Sequence, residues 1–184
     1  MLLSLDEKTG IQAKSRKRRT RRARPGRPTR QEFEYVRHGT VSLMAAMNVV
    51  NGDVYGKIIE RNDSETFIAF LSEIDERTPE HLSIHLIMDN GSSHTSKATR
   101  AWLAAHPRFK VTHTPVHASW LNMVQIYFSI LTRRLLRRGE FDSREALDTA
   151  LASDEWRAAV AHVGSMRGRR MILTGDEQTM VAVQ

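Results

Sequence analysis

The chain has 184 residues, of which 40% are hydrophobic, so it is long enough for one domain with a buried core. It has no cysteine, which excludes disulfides and thiolate metal sites and fits a reducing compartment. Its net charge of +7 favours an acidic partner, and no apolar run approaches the roughly 20 residues of a membrane helix. We therefore predict a cytoplasmic protein without a membrane partner, since the start "MLLSLDEKTG" also lacks the basic residues of a signal peptide.

The first two segments differ sharply in character. "MLLSLD" is apolar and typical of a short buried strand that ends at a functional site, here Asp6. The basic arm, Lys14 to Arg30, has ten Lys or Arg and no acid, whereas acids outnumber bases in the rest of the chain. Because like charges repel and the arm has no apolar face, we expect it to be extended or disordered and to bind a phosphate backbone. A solvated charge run or a localisation signal is the alternative.

The next segments predict a hairpin and a helix. "TVSLMAAMNVV" and "GDVYGKIIER" are joined by an Asn-Gly-Asp sequence at residues 51–53, which is a strong signal for an antiparallel hairpin. "SETFIAFLSEIDERT" is predicted to be a helix with Ser64 as its N-cap. Its apolar side chains recur at helical spacing and should face the core: Phe67, Phe70, Leu71 and Ile74.

The rest of the chain alternates strands and helices. "LSIHLIMDN" and "FKVTHTP" are predicted strands, and "SKATRAWLAAH" between them is a predicted helix. "WLNMVQIYFSILTRRLLRR" predicts a long helix, and "SREALDTALASDEWRAAVAHV" predicts a last helix, whole or broken at Ser153. This order predicts a mixed sheet with helices on both faces, in which the hairpin is antiparallel and the later strands are parallel.

Two aspartates, Asp6 and Asp89, follow predicted strands. Ligands of open α/β sheets bind at that end of the strands, so the two carboxylates converge if their strands are neighbours in the centre of the sheet. Phosphodiester cleavage by two Mg²⁺ ions about 4 Å apart requires hard oxygen ligands of this kind. Two acids alone indicate such a site only weakly, because most Asp-Asn pairs of the kind found at residues 89–90 are turn formers and not site residues.

Four ordered blocks resemble a known family: "DEKTGIQA", "EYVRHGTVSL", "HLIMDNGSSH" and "HTPVHASWLNMVQIYFSILTRRLLRRGEF". They are similar to blocks of insertion-sequence transposases of the mariner-related DDE superfamily, in the group numbered six-thirty. The resemblance implies a ribonuclease H-like α/β fold, with a mixed five-stranded sheet flanked by helices. It implies a catalytic core at residues 1–150 with the basic arm inserted, and a divergent C-terminal helix and tail at 151–184.

The resemblance also implies a reaction and its partners. The family cleaves DNA strands and transfers them to a target with Mg²⁺, for which Mn²⁺ substitutes. The implied partners are transposon ends and target DNA, with a homodimer or an intact transposase as a further partner. A bacterial, nucleoid-associated protein is expected.

Carried over to this chain, the first two family acids fall on Asp6 and Asp89, and the third position, glutamate in the family, is Gln125. The 35 residues between Asp89 and Gln125 match the family spacing, so the residue itself has changed. A neutral amide implies a weakly bound second metal or replacement by another acid. Glu7 should lie on the opposite face from Asp6 and Glu140 roughly four helical turns away, so neither is expected to replace it. We predict a severely impaired or inactive enzyme.

Other polar residues near these positions have two interpretations each. His94 recurs in the family and either approaches the metal site or a phosphate, or is a hydrogen-bonded loop histidine. Asn122 either orients a metal ligand or binds a phosphate, or caps its helix. His113 and His117 have a spacing of four, but Pro115 lies between them and no cysteine assists, which disfavours zinc.

Basic residues of the arm and of the long helix are predicted to line a track for a DNA backbone, although a solvated helix end is equally consistent with the helical ones. Trp120 is the aromatic residue that could stack on a base. The DNA-binding candidates are Arg16, Lys17, Arg18, Arg19, Arg21, Arg22, Arg37, Arg133, Arg134 and Arg137.

Met1 lies only five residues before Asp6, so the helix-turn-helix modules that read transposon ends are expected to be missing. The expected function is a truncated, impaired transposase catalytic domain. The first alternative is a non-catalytic DNA-binding remnant that pairs with an intact transposase and inhibits it. The second is a basic RNA-binding protein that uses the arm alone.

Overall fold

The computed structural model describes residues 1–18, 23–28, 33–115 and 121–153, together with two short strands at 171–173 and 180–182. Within this part of the chain, no helix is long and apolar enough to cross a membrane. Five residues singled out from the sequence lie outside the described residues: Arg19, Arg21, Arg22, His117 and Trp120. The second half of the last predicted helix also lies outside them.

Five strands form the main sheet: β1 (Leu2–Arg16), β2 (Tyr35–Asn48), β3 (Val54–Ile59), β4 (Ile84–Met88) and β5 (Phe109–His113). Their order is β3-β2-β1-β4-β5, so the first strand is central. The β1–β2 and β2–β3 pairs are antiparallel, whereas β1–β4 and β4–β5 are parallel. The predicted mixed sheet and the predicted hairpin, whose turn places Gly52 at a φ of 81°, are confirmed.

Within the described residues, four α-helices cover the sheet: α1 (Ser64–Arg77), α2 (Lys97–Ala105), α3 (Val124–Leu131) and α4 (Arg144–Ala152). The prediction of Ser64 as the N-cap of α1 is wrong by one residue, because the carboxylate of Asp63 accepts the hydrogen bond of Thr66 N at 2.9 Å. The predicted long helix is not α-helical throughout: α3 continues as a π-helical turn at Thr132–Leu136, where Arg137 N donates to Thr132 O. Two further strands, β6 (Met171–Leu173) and β7 (Met180–Ala182), form an antiparallel pair.

The first strand is longer than predicted. β1 runs to Arg16, so Asp6 lies within a strand and not at its end, and Lys14 pairs with Arg37 of β2. Residues 14–16 of the arm are therefore extended, one of the two predicted alternatives, and they are ordered within β1 because β2 offers them a hydrogen-bonded partner. Further along the arm, Arg24 and Arg27 form an isolated bridge across a turn.

A β-bulge after Lys8 directs the apolar side chains of β1 first to one face of the sheet and then to the other. Leu3 and Leu5 pack in a core with α1, whereas Ile11 and Ala13 pack in a second core with α3 and α4. Gly10, with a φ of 66°, supplies the backbone conformation that the bulge requires. The predicted buried face of α1 is confirmed.

Replacing Gly139 with alanine is expected to lower the free energy of unfolding by about 1–3 kcal/mol, the usual cost of overpacking. A Cβ at Gly139 would lie 2.5 Å from the Phe141 ring and 2.6 Å from the carbonyl oxygen of Leu135. Urea denaturation measures the change. Gly56→Ala is the matched control, because its Cβ would make an ordinary contact of 3.8 Å with Leu43. An equal loss in both variants would contradict the crowding at Gly139.

Candidate functional site

The first and third predicted site positions touch. Asp6 points from β1 toward α3, and Gln125 in the first turn of α3 donates from Nε2 to Asp6 Oδ2 at 2.6 Å. The carboxylate of Asp6 also accepts from the backbone nitrogen of Glu7 at 2.8 Å. In this arrangement the amide of Gln125 offers a hydrogen to Asp6 and not an oxygen to a cation.

Two buried polar residues hold α3 against β1. Ser4 lies two residues before Asp6 and therefore on the same face of β1. Its Oγ donates to Asn122 Oδ1 and accepts from Val124 N at 2.9 Å, so it satisfies a backbone group at the start of α3. Asn122 Nδ2 donates to the carbonyl oxygen of Leu5 at 2.8 Å and lies 3.4 Å from Asp6 Oδ2. Ser4, rather than Asn122, therefore caps the helix.

Burial shapes the electrostatics of Asp6, which is 8% exposed. Desolvation raises the pKa of its carboxyl group above the ordinary value, and the negative charges of Asp89 and Glu7 raise it further. The hydrogen bonds from Glu7 N and Gln125 oppose this rise without cancelling it. A cation beside Asp6 would relieve this cost of ionisation.

Asp89 follows the last residue of β4, where the parallel neighbour β1 brings it toward Asp6. Its Oδ1 accepts from the backbone nitrogen of Gly91 at 2.9 Å and from His94 Nδ1 at 2.8 Å. The loop after β4 is thus folded around one carboxylate oxygen. The side chain of Asp89 is 41% exposed and can be reached by a ligand.

His94 lies in the interior between two acids. Its Nε2 is 2.9 Å from Glu7 Oε1, and its ring stands 4.5 Å from the ring of Phe67. Burial alone would lower the pKa of His94, but the hydrogen bond to Glu7 and the charges of Glu7 and Asp89 outweigh it, so the pKa is raised. Glu7 lies on the opposite face of β1 from Asp6, as expected, yet it is connected to the site through this histidine.

The donor set suits a divalent cation only in part. Asp6 and Asp89 supply hard carboxylate oxygens, which Mg²⁺ prefers. Gln125 supplies a neutral amide that already bonds to Asp6, so the third position does not fit a metal ligand of charge −1. Among the described residues, no group of three or more His, Asp or Glu side chains is arranged to hold a metal ion.

A DDE superfamily endonuclease model matches residues 1–148. The chain belongs to this family. The resemblance to mariner-related insertion-sequence transposases is thereby confirmed. Among curated proteins, the "Insertion element IS630 uncharacterized 39 kDa protein" of Shigella sonnei is 31% identical over 80 residues. That stretch covers 44% of this chain and 23% of that protein.

Solved structures with similar folds agree with this assignment of fold. The Mos1 transposase paired-end complex with left transposon end has a TM-score of 0.65 and 22% identity, over 89% of this chain and 50% of that chain. The catalytic domain of Mos1 mariner transposase has a TM-score of 0.59 and 16% identity, over 88% of this chain and 75% of that domain. The ribonuclease H-like fold is confirmed.

An open groove of about 550 Å³ runs beside Gln125. Two cations, Lys8 and Arg133, line it without any acid. Lys8 lies two residues beyond Asp6 on the same strand. The remaining lining residues are Gln125, Ile126, Phe128, Ser129 and Thr132.

The predicted DNA-binding residues divide into two groups. Arg16 forms an ion pair with Glu140 at 3.0 Å, and Lys17 forms one with Glu34 at 2.9 Å. Glu140 thus pairs with the arm, consistent with the expectation that it does not act in place of Gln125. The exposed candidates are Arg18, Arg37, Arg133, Arg134 and Arg137.

Two residues that shape the candidate site, Ser4 and Lys8, were missed in the sequence, as was the contact of Glu7 with His94. Ser4 and Lys8 share the two-residue period of Asp6, which could have placed them on its face. Nothing local indicates that Glu7 meets His94, which is 87 residues away in the chain. His113, considered for zinc, instead lies with Nδ1 3.0 Å from the carbonyl oxygen of Asp89.

Ser4→Ala is expected to lower the free energy of unfolding by about 1–3 kcal/mol, because Asn122 and the backbone of Val124 would both lose a buried partner. Thermal and urea unfolding measure this loss, and the amide resonance of Val124 reports the broken bond. Ser129→Ala, an exposed serine on α3, is the control. A loss no larger than the control's would show that Ser4 does not hold α3.

Proposed function

We propose that this chain is a transposase-type DDE catalytic domain that binds DNA but is impaired in strand cleavage. The observation that carries the proposal is the 2.6 Å hydrogen bond from Gln125 Nε2 to Asp6 Oδ2. A glutamate at this position could not donate that bond, and its charge would instead combine with Asp6 to attract a cation. The glutamine therefore adds no charge at the third position of the site, and its side chain is already hydrogen-bonded to Asp6.

Asp6 and Asp89 are the residues that would hold Mg²⁺ or Mn²⁺. Solved Mos1 structures include catalytic domains with Mg and with Mn. When bound, such an ion supplies positive charge for attack on a phosphodiester. The Gly91 amide and His94 hold the carboxylate of Asp89 in place. Gln125, in contrast, competes with an ion for the carboxylate of Asp6. We infer that the missing charge lowers the affinity for the second ion and so slows cleavage.

DNA is the proposed partner. The Mos1 structures include complexes with transposon ends, and this chain combines a cationic groove beside the site with exposed arginines on the arm and on the π-helical turn. Lys8 and Arg133 would bind phosphates near the acids, with the hydroxyls of Ser129 and Thr132 as further donors. The arm would bind the same duplex farther away. In a bacterial cell such a protein would associate with the nucleoid.

The boundaries and assembly belong to the same proposal. The core comprises residues 1–150, and residues 151–184 form a divergent end. The chain spans about a quarter of the curated relative that it matches and half of the Mos1 chain, so the activity of a whole transposase is a proposal here. The second candidate function is inhibition of an intact transposase by pairing with it. The hydrogen bond between Gln125 and Asp6 favours this candidate, because a chain that has lost cleavage would still bind.

Gln125→Glu is expected to increase nicking of supercoiled plasmid and cutting of a pre-processed linear end by at least about 100-fold in Mg²⁺ or Mn²⁺, because it restores a carboxylate to hold the cation that would stabilise the reacting phosphate. The measurement compares the natural chain, the Gln125→Glu variant and the same variant carrying Asp89→Asn. The last of these should be inactive.

Thermal unfolding gives an independent readout of the same change. Without metal, the Gln125→Glu variant should be less stable than the natural chain, since two carboxylates then face each other, and Mn²⁺ should stabilise it more. If the natural chain cuts DNA and Asp89→Asn abolishes that activity, the proposed impairment is wrong.

Two sets of substitutions should weaken duplex binding and should reduce its dependence on salt by different amounts. The arm variant replaces three exposed arginines, Arg18, Arg24 and Arg27, with glutamine; the groove variant replaces Lys8 and Arg133 with alanine. Because each phosphate contact contributes about 0.9 to the slope of log K against log salt, we expect slopes smaller by about three and about two. Fluorescence anisotropy over a KCl series measures both.

Arg77→Ala is the control, because Arg77 is exposed at the end of α1, on the other face of the sheet from the groove. Unchanged slopes in both variants would reject these surfaces as the DNA track. If only the arm variant loses affinity, and single-stranded RNA binds as tightly as duplex DNA, a basic RNA-binding protein is the better description.

A further inference from the structure

A hydrogen-bonded chain of three side chains runs beneath the site from Glu7 through His94 to Asp89. The distances are 2.9 Å from Glu7 Oε1 to His94 Nε2 and 2.8 Å from His94 Nδ1 to Asp89 Oδ1. We propose that Glu7 is a positioning residue: by holding the ring of His94, it fixes the carboxylate of Asp89 in the orientation that a divalent cation requires. The inference rests on the proposed function of Asp89 as a metal ligand.

An acid at position 7 is costly to bury. The side chain of Glu7 is 8% exposed and that of His94 is fully buried. Glu7 extends from the face of β1 that carries Leu5, where the core with α1 is apolar. A carboxylate is costly to bury unless it is paired, and an apolar residue of similar size would serve packing at least as well. The position of Glu7 is therefore explained by its partner and not by the core.

The geometry at Asp89 points the same way. Both partners of the His94 ring are carboxylates, so each ring nitrogen donates a hydrogen and the ring is held from both sides. Gly91 N donates to the same oxygen, Oδ1, as His94 Nδ1 does. Within the described residues, these two bonds occupy one oxygen of Asp89 and leave the other for a ligand.

The loop after β4 fits closely around this arrangement. A Cβ at Gly91 would lie 3.1 Å from Asp89 Oδ1 and 3.2 Å from His94 Nδ1, so a side chain there would crowd both groups. Since Asp89 is 41% exposed, its carboxylate would otherwise be free to rotate in solvent. Second-sphere hydrogen bonds of this kind typically change metal affinity by 10- to 100-fold.

The test uses the full chain with Gln125→Glu, in which the third acid is restored, and compares Glu7→Ala with Glu7→Gln. Glutamine retains an oxygen that accepts from His94 Nε2, whereas alanine does not. Mn²⁺ affinity, measured by electron paramagnetic resonance of the free ion, should fall about 10- to 100-fold in Glu7→Ala and less in Glu7→Gln. Glu76→Gln, an exposed acid on α1, is the control and should leave the affinity unchanged.

Nuclear magnetic resonance of the metal-free chain supplies the readout that packing alone would not change. The imidazole N–H signals of His94 and the amide signal of Gly91 should persist in Glu7→Gln and shift or disappear in Glu7→Ala, while signals of the α3–α4 core stay in place. If Glu7→Ala does not fold, Glu7→Gln tests the positioning role alone. A small loss of Mn²⁺ affinity with retained His94 and Gly91 signals then supports that role.

The outcomes separate this inference from the proposed function. If the Gln125→Glu chain binds no Mn²⁺, the proposed metal site fails, and the His94 and Gly91 signals alone decide whether Glu7 positions Asp89. If Mn²⁺ binds and a folded Glu7→Ala variant keeps both the affinity and the signals, the positioning role of Glu7 is overturned.

Discussion

The site depends on one constraint: β1 is central and both of its faces are buried. A strand alternates its side chains, so neighbouring residues of β1 enter different layers. Ser4, Asp6 and Lys8 face α3, whereas Glu7 faces the layer that contains α1 and reaches His94. One short segment therefore organises the site from both sides of the sheet. A strand with one face in water could not do this.

Helix α3 is attached to that strand by polar contacts as well as by its apolar stripe. Ser4 caps the start of the helix from the neighbouring layer, and Asn122 reaches a carbonyl oxygen of β1. These bonds fix where the first turn of α3 begins, and hence where residue 125 lies relative to Asp6. The hydrogen bond of Gln125 to Asp6 follows from this placement. A neutral side chain at position 125 suits this placement, since a carboxylate there would oppose the buried charge of Asp6.

Much of this fold could be predicted from the sequence, because its signals are local. The Asn-Gly turn, the apolar spacing of α1 and the alternation of later strands and helices each depend on residues close in the chain. The pairing of Asp6 with Gln125 could be placed only through the resemblance to a family. The length of β1 could not be predicted, because its charged half is extended by pairing with β2 and has no apolar period of its own. The link from Glu7 to His94 depends on how two layers meet, and no spacing reports that.

The continuity of β1 fixes the distance between Asp6 and the start of the arm. Arg16 lies ten positions beyond Asp6 in one strand, and at about 3.3 Å per residue this spans roughly 33 Å, close to one turn of a DNA duplex. The register shifts after Lys8 and after Gln12 do not divide the strand, because the ladder with β2 continues beyond each of them. A duplex bound to the arm would be held at a fixed distance from Asp6 and Asp89, and the length of β1 would set that distance.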